Sequence, residues 1–96
     1  MIRIVKLSIK NEYVDSFKDF FESRKIAIRN FEGCTHLELW QDHTNPTVFY
    51  TYSHWDDQMN LDEYRISELF KSTWSVVKPW FDHKAEAFSA HKLLQV

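Results

Sequence analysis

The hydrophobic pattern changes period along the chain, and each change predicts an element. Ile2 to Ile9 alternates loosely between apolar and polar positions, the two-residue period of a strand. Lys10-Asn11-Glu12 interrupts it, and Asn11 is placed to cap a helix. From Tyr13 the period lengthens. Tyr13, Phe17, Phe20, Phe21 and Ile28 fall near one helical face, with Asp15, Lys18, Asp19 and Glu22 on the other. That spacing predicts a helix of about four turns. The only glycine, Gly33, lies in Phe31-Glu32-Gly33-Cys34, where a turn with positive φ ends the helix.

Two strands follow. In Thr35 to Gln41, Leu37 and Leu39 share one face and His36, Glu38 and Trp40 the other. Asp42-His43-Thr44-Asn45-Pro46 is turn chemistry. Thr47 to Trp55 is β-branched or aromatic almost throughout, so the two strands form a hairpin. Phe49 and Trp55 point one way while Tyr50, Tyr52 and His54 point the other. Large rings on both faces call for a cover on both. Helices supply one; a second subunit or a ligand is expected to supply the other. Asp56 or Asp57 can cap a short helix through Tyr64, and Ser67 the next, where Phe70, Trp74, Val77 and Phe81 make a helical stripe. Pro79 ends or kinks it, and Lys84 to Leu93 reads as a last strand. The order is β-α-β-β-α-β with the second helical segment broken in two. It predicts an α+β, ferredoxin-like sandwich: an antiparallel sheet with helices on one face.

Composition adds an excess of rings. The chain has 96 residues, room for one domain spanning 1–96, and 17% of them are aromatic, including four Trp and eight Phe. That is more than a small core needs and points to a pocket or an interface as well. A net charge of −2 gives no reason to expect nucleic acid or an anionic membrane as partner. The β-α-β-β-α-β order also belongs to RNA-binding domains, but the third strand lacks their flanking basic residue and glycines. With one cysteine, Cys34, no internal disulfide can form, which fits a reducing, cytoplasmic setting. No apolar run is long enough to span a bilayer, and Met1 to Val5 reads as strand rather than as part of a signal peptide.

The candidate chemistry is sparse. His54, set among rings and titrating near neutrality, can remove a phenolic proton. Tyr64 can hydrogen-bond a substrate oxygen, and Arg65 can stabilise an enolate. His36 and Glu38 share a strand face, and an ion pair suits them better than a metal site with two ligands. Trp40, Tyr50, Tyr52, Trp74 and Trp80 could line a flat apolar pocket, though an aromatic stripe is more often core. Cys34 reads as a small buried residue. There is no Gly-rich phosphate loop, no Gly-x-Ser-x-Gly elbow and no cysteine pair.

Phe31-Glu32-Gly33-Cys34, Gln41-Asp42 with Asn45-Pro46, then Tyr52, Trp55 and Asp56, and finally Ser67-Glu68-Leu69-Phe70-Lys71 resemble, in order and spacing, the antibiotic biosynthesis monooxygenase superfamily. The resemblance covers nearly the whole chain. It implies a dimeric α/β barrel in which two sheets pack by their helix-free faces. It also implies a role among cofactor-independent monooxygenases of quinol- or anthrone-like aromatics, haem-degrading enzymes or a sugar-phosphate isomerase. Where haem-degrading relatives carry Asn, Trp and a His ligand, this chain has Lys6, Tyr64 and Trp74, so the iron ligand is missing. Many relatives have Glu or Arg just before the strand-three Trp and a His in the middle helix; here Ser53-His54 and Tyr64-Arg65 stand there. Trp74 takes the place of a ligand-contacting residue. The expectation is a homodimeric monooxygenase needing no cofactor or metal and acting on a small aromatic or enolisable metabolite. His54, Tyr64 and Arg65 are its catalytic residues, and His36, Trp40, Tyr50, Tyr52 and Trp74 contact the ligand. The alternatives are a non-catalytic dimer that binds a hydrophobic metabolite, or an isomerase.

Overall fold

A computed structural model describes residues 1–96. Strand β1 spans Ile2–Ser8, helix α1 Val14–Arg29, β2 Cys34–Gln41, β3 Val48–Trp55, α2 Gln58–Arg65, α3 Glu68–Val77 and β4 Glu86–Ala90. The four strands form one antiparallel sheet in the order β2-β3-β1-β4. The α+β, ferredoxin-like architecture expected from the pattern is the one observed.

Register decides which side chains share a face. In β1 and β3, Arg3 pairs with Ser53, Val5 with Thr51 and Leu7 with Phe49; between them Ile2 pairs with His54, Ile4 with Tyr52 and Lys6 with Tyr50. The first set lies under the helices and the second on the open side. The core follows from this parity. Leu7, Ile9, Phe17, Phe49 and Val77 are buried together, with the Phe17 and Phe49 rings 4.9 Å apart. Burying side chains of this size stabilises by roughly 1.5–3 kcal/mol each. A second cluster, Cys34, Trp55 and Leu61, packs with Phe31 and Tyr64. In β2 a bulge between Cys34 and His36 breaks the alternation. Cys34 therefore sits opposite Trp55 in the core although His36, two residues on, joins the open face.

Local signals account for the joints. Asp57 Oδ1 accepts from the Asn60 N–H at 3.0 Å to cap α2, and Ser67 Oγ accepts from the Phe70 N–H at 3.1 Å to cap α3. Gly33 has φ 87°, and a Cβ there would come within 2.2 Å of Asn60 Cγ, so glycine is required twice over. After α3 the chain makes a 3-10 turn at Lys78–Trp80, where Pro79 needs no N–H partner. Two expectations change. Asn11 does not cap α1: Asn11–Tyr13 forms a 3-10 turn whose Tyr13 N–H donates to Lys10 O at 2.9 Å, and the helix starts at Val14 without a side-chain cap. The last strand is shorter than Lys84 to Leu93, because only Glu86–Ala90 reach β1.

Candidate functional site

The sheet has two chemically different faces, and the expected site residues divide between them. On the helix side a cavity of about 460 Å³ lies between sheet and helices. That is the size of a small-molecule site. Val5, Thr51, Ser53 and Trp55 form its floor; Phe20 and Arg24 of α1, Tyr64 and Arg65 at the end of α2, and Phe70 and Trp74 of α3 enclose it.

Tyr64 is wedged among rings, with Trp55 at 5.0 Å and Phe31 and Phe70 at 5.3 Å between centroids. Burial pushes its phenol up to about 12, with the nearby Cys34 adding to the shift. The hydroxyl therefore keeps its proton at neutral pH, and it bonds to no other protein group. It is a free donor on the cavity wall.

The charged lining has one sign. Arg3, Arg24, Arg65 and Lys84 reach the cavity, and no Asp, Glu or His does. Arg24 Nη1 donates to Ser72 Oγ at 3.1 Å and Thr73 Oγ1 at 3.4 Å, and its guanidinium lies 5.0 Å from the Phe20 ring centre. Arg3 Nη1 donates to Ser89 Oγ at 3.0 Å. Burial, then repulsion from Arg65, pulls the Arg3 guanidinium below its ordinary value, and Asp62 offsets part of this.

The open face carries His36, Glu38 and Trp40 of β2 and Tyr50, Tyr52 and His54 of β3, and these side chains are occupied with one another. His36 Nε2 pairs with Glu38 Oε2, and Trp40 Nε1 donates to Glu38 Oε1 at 2.8 Å. The His36 and His54 rings are 4.8 Å apart, His54 Nε2 is 2.9 Å from the Tyr52 hydroxyl, and Tyr52 stacks on Trp40 at 4.7 Å. The Tyr50 hydroxyl donates to Asp42 Oδ1 at 2.8 Å. That bond, with donors from Thr44 and Asn45, holds the Asp42 carboxyl at about 2. Burial first, then His36, pulls the His54 imidazole below its ordinary value.

The structure thus brings Tyr64, Arg65 and Trp74 into one cavity and leaves His54, His36, Trp40, Tyr50 and Tyr52 on the other side of the sheet. His54 and Tyr64 cannot act on one substrate within a single chain: Trp55 and Ser53 face the cavity, so their neighbour His54 faces away. Trp80 belongs to neither face; it stacks on Tyr13 at 5.8 Å at the edge of the core. Cys34 is buried, and burial pushes its thiol up, away from nucleophilic use.

Arg3 and Arg24 escaped the reading of the sequence, although both carried a signal. Arg3 shares strand parity with the core residues Val5 and Leu7. Arg24 occupies the apolar stripe of α1, between Phe20 and Ile28 at four-residue spacing. A second depression, between α1 and β2, is open to solvent and holds charges of both signs: Lys18, Lys25 and Arg29 with Glu22. It is more open than the first.

Known structures share this architecture. A conserved protein from Methanosarcina mazei Go1 is 27% identical, with a TM-score of 0.84 over 91% of this chain and 87% of that one. An antibiotic biosynthesis monooxygenase superposes with a TM-score of 0.88 at 18% identity, covering 98% of this chain and all of the other (100%). Rv0793 from Mycobacterium tuberculosis gives 0.87 at 13% identity over 98% and 95% of the two chains. No protein among those with curated functions matches the chain. The sequence profile of the antibiotic biosynthesis monooxygenase family matches residues 1–76, which take in the sheet's first three strands and nearly all of the helices that enclose the cavity. The chain belongs to the antibiotic biosynthesis monooxygenase family.

Proposed function

We propose that the chain is a cofactor-independent monooxygenase of a small quinol-like or enolisable metabolite, and that the cavity under the helices is its substrate site. The observation that carries the reading is the pairing, on one wall, of the Tyr64 hydroxyl with the Arg65 guanidinium. A phenol or enol with its oxygen against both would lose its proton to solvent water more readily, because a hydrogen-bond donor and a cation stabilise the anion left behind. The ionised, electron-rich ring or enolate is the form that gives electrons to dioxygen. Val5, Trp55, Phe70 and Trp74 hold it out of water. The cavity lining includes no His, Cys, Met or carboxylate, so the side chains that most often ligate haem iron or a catalytic metal are not there to do so.

In this reading a second copy covers the open face. Ile2, Ile4, Trp40 and Phe88 lie there, and Phe88 is 55% exposed in the single chain. His54 is then a residue of the contact between subunits. A second reading, binding without turnover, draws on the same cavity, since no side chain in it is an obvious proton acceptor. Oxygen uptake separates the two. Chelator-treated protein is mixed with reduced quinols and anthrones. Uptake above the uncatalysed rate with a mono-oxygenated product supports the oxygenase; tight binding without uptake supports the alternative. A stable monomer in sedimentation at micromolar concentration would sink the dimer.

A further inference from the structure

The charge of the cavity goes beyond what a neutral quinol needs. The chain has 12 Lys and Arg against 14 Asp and Glu, yet four of the cations and none of the acids line this one cavity. None of the four forms an ion pair with a carboxylate. Arg65 and Lys84 make no side-chain hydrogen bond, and Arg3 and Arg24 are bonded only to hydroxyls. The acid that acts on Arg3, Asp62, is engaged elsewhere, with Oδ1 accepting from Gln58 Nε2 at 2.8 Å. Arg3 and Arg65 are close enough to repel each other. Cations gathered on one cavity lining without a counter-charge repel one another, most of all where one of them, Arg3, is half-buried, and an anion among them relieves that repulsion. The rest of the lining is mostly apolar and aromatic, so an inorganic anion would leave it unfilled.

We infer that the ligand of this cavity is an amphipathic anion: a ring-bearing or otherwise apolar body with a carboxylate, or a group of like charge, held by Arg3 and Arg65. The inference rests on the cavity being the substrate site, and it adds the chemical class of the substrate. Arg3 and Arg65 bind the anion, Arg24 closes the seam between α1 and α3, and Lys84 adds positive potential beside β4. Tyr64, kept protonated, donates to a second oxygen of the same molecule, and the Arg65 guanidinium, with five N–H donors, serves that oxygen as well as the anion.

The test compares 2-naphthoate with 2-naphthamide, nearly the same shape with and without charge, by titration calorimetry at neutral pH and low salt. The acid is expected to bind at least about tenfold more tightly, the scale of one charge-assisted hydrogen bond. That preference should shrink as salt is raised and again in Arg65→Gln. Arg65 is exposed and bonded to nothing, so this variant keeps its fold; Lys84→Gln serves as a second, with a smaller loss. Equal affinities, a preference for the amide, or no binding of the acid up to millimolar concentration would overturn the inference. Oxygen uptake on neutral quinols without acid preference would remove this inference and leave the oxygenase. Acid preference without uptake on any substrate would do the reverse.

Discussion

The two faces of the sheet use similar residue types to opposite ends. On the open face the polar groups satisfy one another: His36 with Glu38, Trp40 with Glu38, His54 with Tyr52, Tyr50 with Asp42. On the helix side the polar groups are few and largely unspent: the Tyr64 hydroxyl, the Arg65 guanidinium and Lys84 bond to nothing. A side chain already bonded to its neighbours has little left to offer a ligand, whereas a donor with no partner on an apolar wall favours whatever molecule supplies the acceptor. Reactive residue types therefore mark the open face, where they bond to one another, and unpartnered ones mark the cavity.

The largest effect that tests this contrast is on stability. Trp55 is 3% exposed and serves both the core and the cavity floor. Trp55→Ala should cost about 3–5 kcal/mol in urea unfolding. Trp40→Ala, on the open face with 39% of its surface exposed, should cost about 1 kcal/mol or less in the single chain. Comparable losses at a protein concentration low enough for the chain to be monomeric would mean that the two faces are not distinct in the way described. Next in size is turnover. Tyr64→Phe should lower kcat/KM by about tenfold to a hundredfold, the loss of one donor to a developing anion. His54→Ala should leave turnover per folded molecule unchanged; the opposite ranking would move the chemistry to the open face.

Two smaller predictions concern acid. Asp42 has its folded pKa depressed from 3.8 to about 2, so its contribution is present above the unfolded value and lost as pH falls through the folded one. The gap in urea midpoint between the protein and Asp42→Asn should be open at pH 5 and closing by pH 2; a constant gap would contradict the role of the Tyr50–Asp42 bond. His54 is depressed as well, which for an imidazole means that the folded state resists protonation. Stability from this group is present above its ordinary 6.5 and declines as pH falls below it. His54→Gln should flatten the small loss between pH 7.5 and 5, and an unaltered slope would show that His54 does not titrate unfavourably in the fold.

The fold was legible because β1, β3 and α1 each keep one period over their whole length, and because Asp57, Ser67 and Gly33 sit at the joints those periods imply. The bulge at Cys34 was not legible, since one extra residue in a strand leaves the pattern on either side intact. Half of the candidate cavity's lining was legible. Tyr64, Arg65 and Trp74 lie on helical segments whose apolar stripe could be read. His54 drew attention as the residue best suited to take a proton, yet its parity with Tyr50 and Tyr52, opposite Phe49 and Trp55, already placed it on another face from the core. Arg3 and Arg24 passed unread because a single cation in an alternating strand or an amphipathic helix ordinarily points to water; only their places within the apolar sets gave them away.

The measurement that tests the account most directly follows the four indole N–H signals of the protein by 15N NMR during titration with 2-naphthoate. Trp55 and Trp74 line the cavity, Trp40 lies on the open face, and Trp80 lines neither. The account predicts that the Trp74 and Trp55 signals move first and saturate together while Trp40 stays in place. Movement of Trp40 with Trp74 and Trp55 unchanged would put the ligand against the histidine face and contradict it.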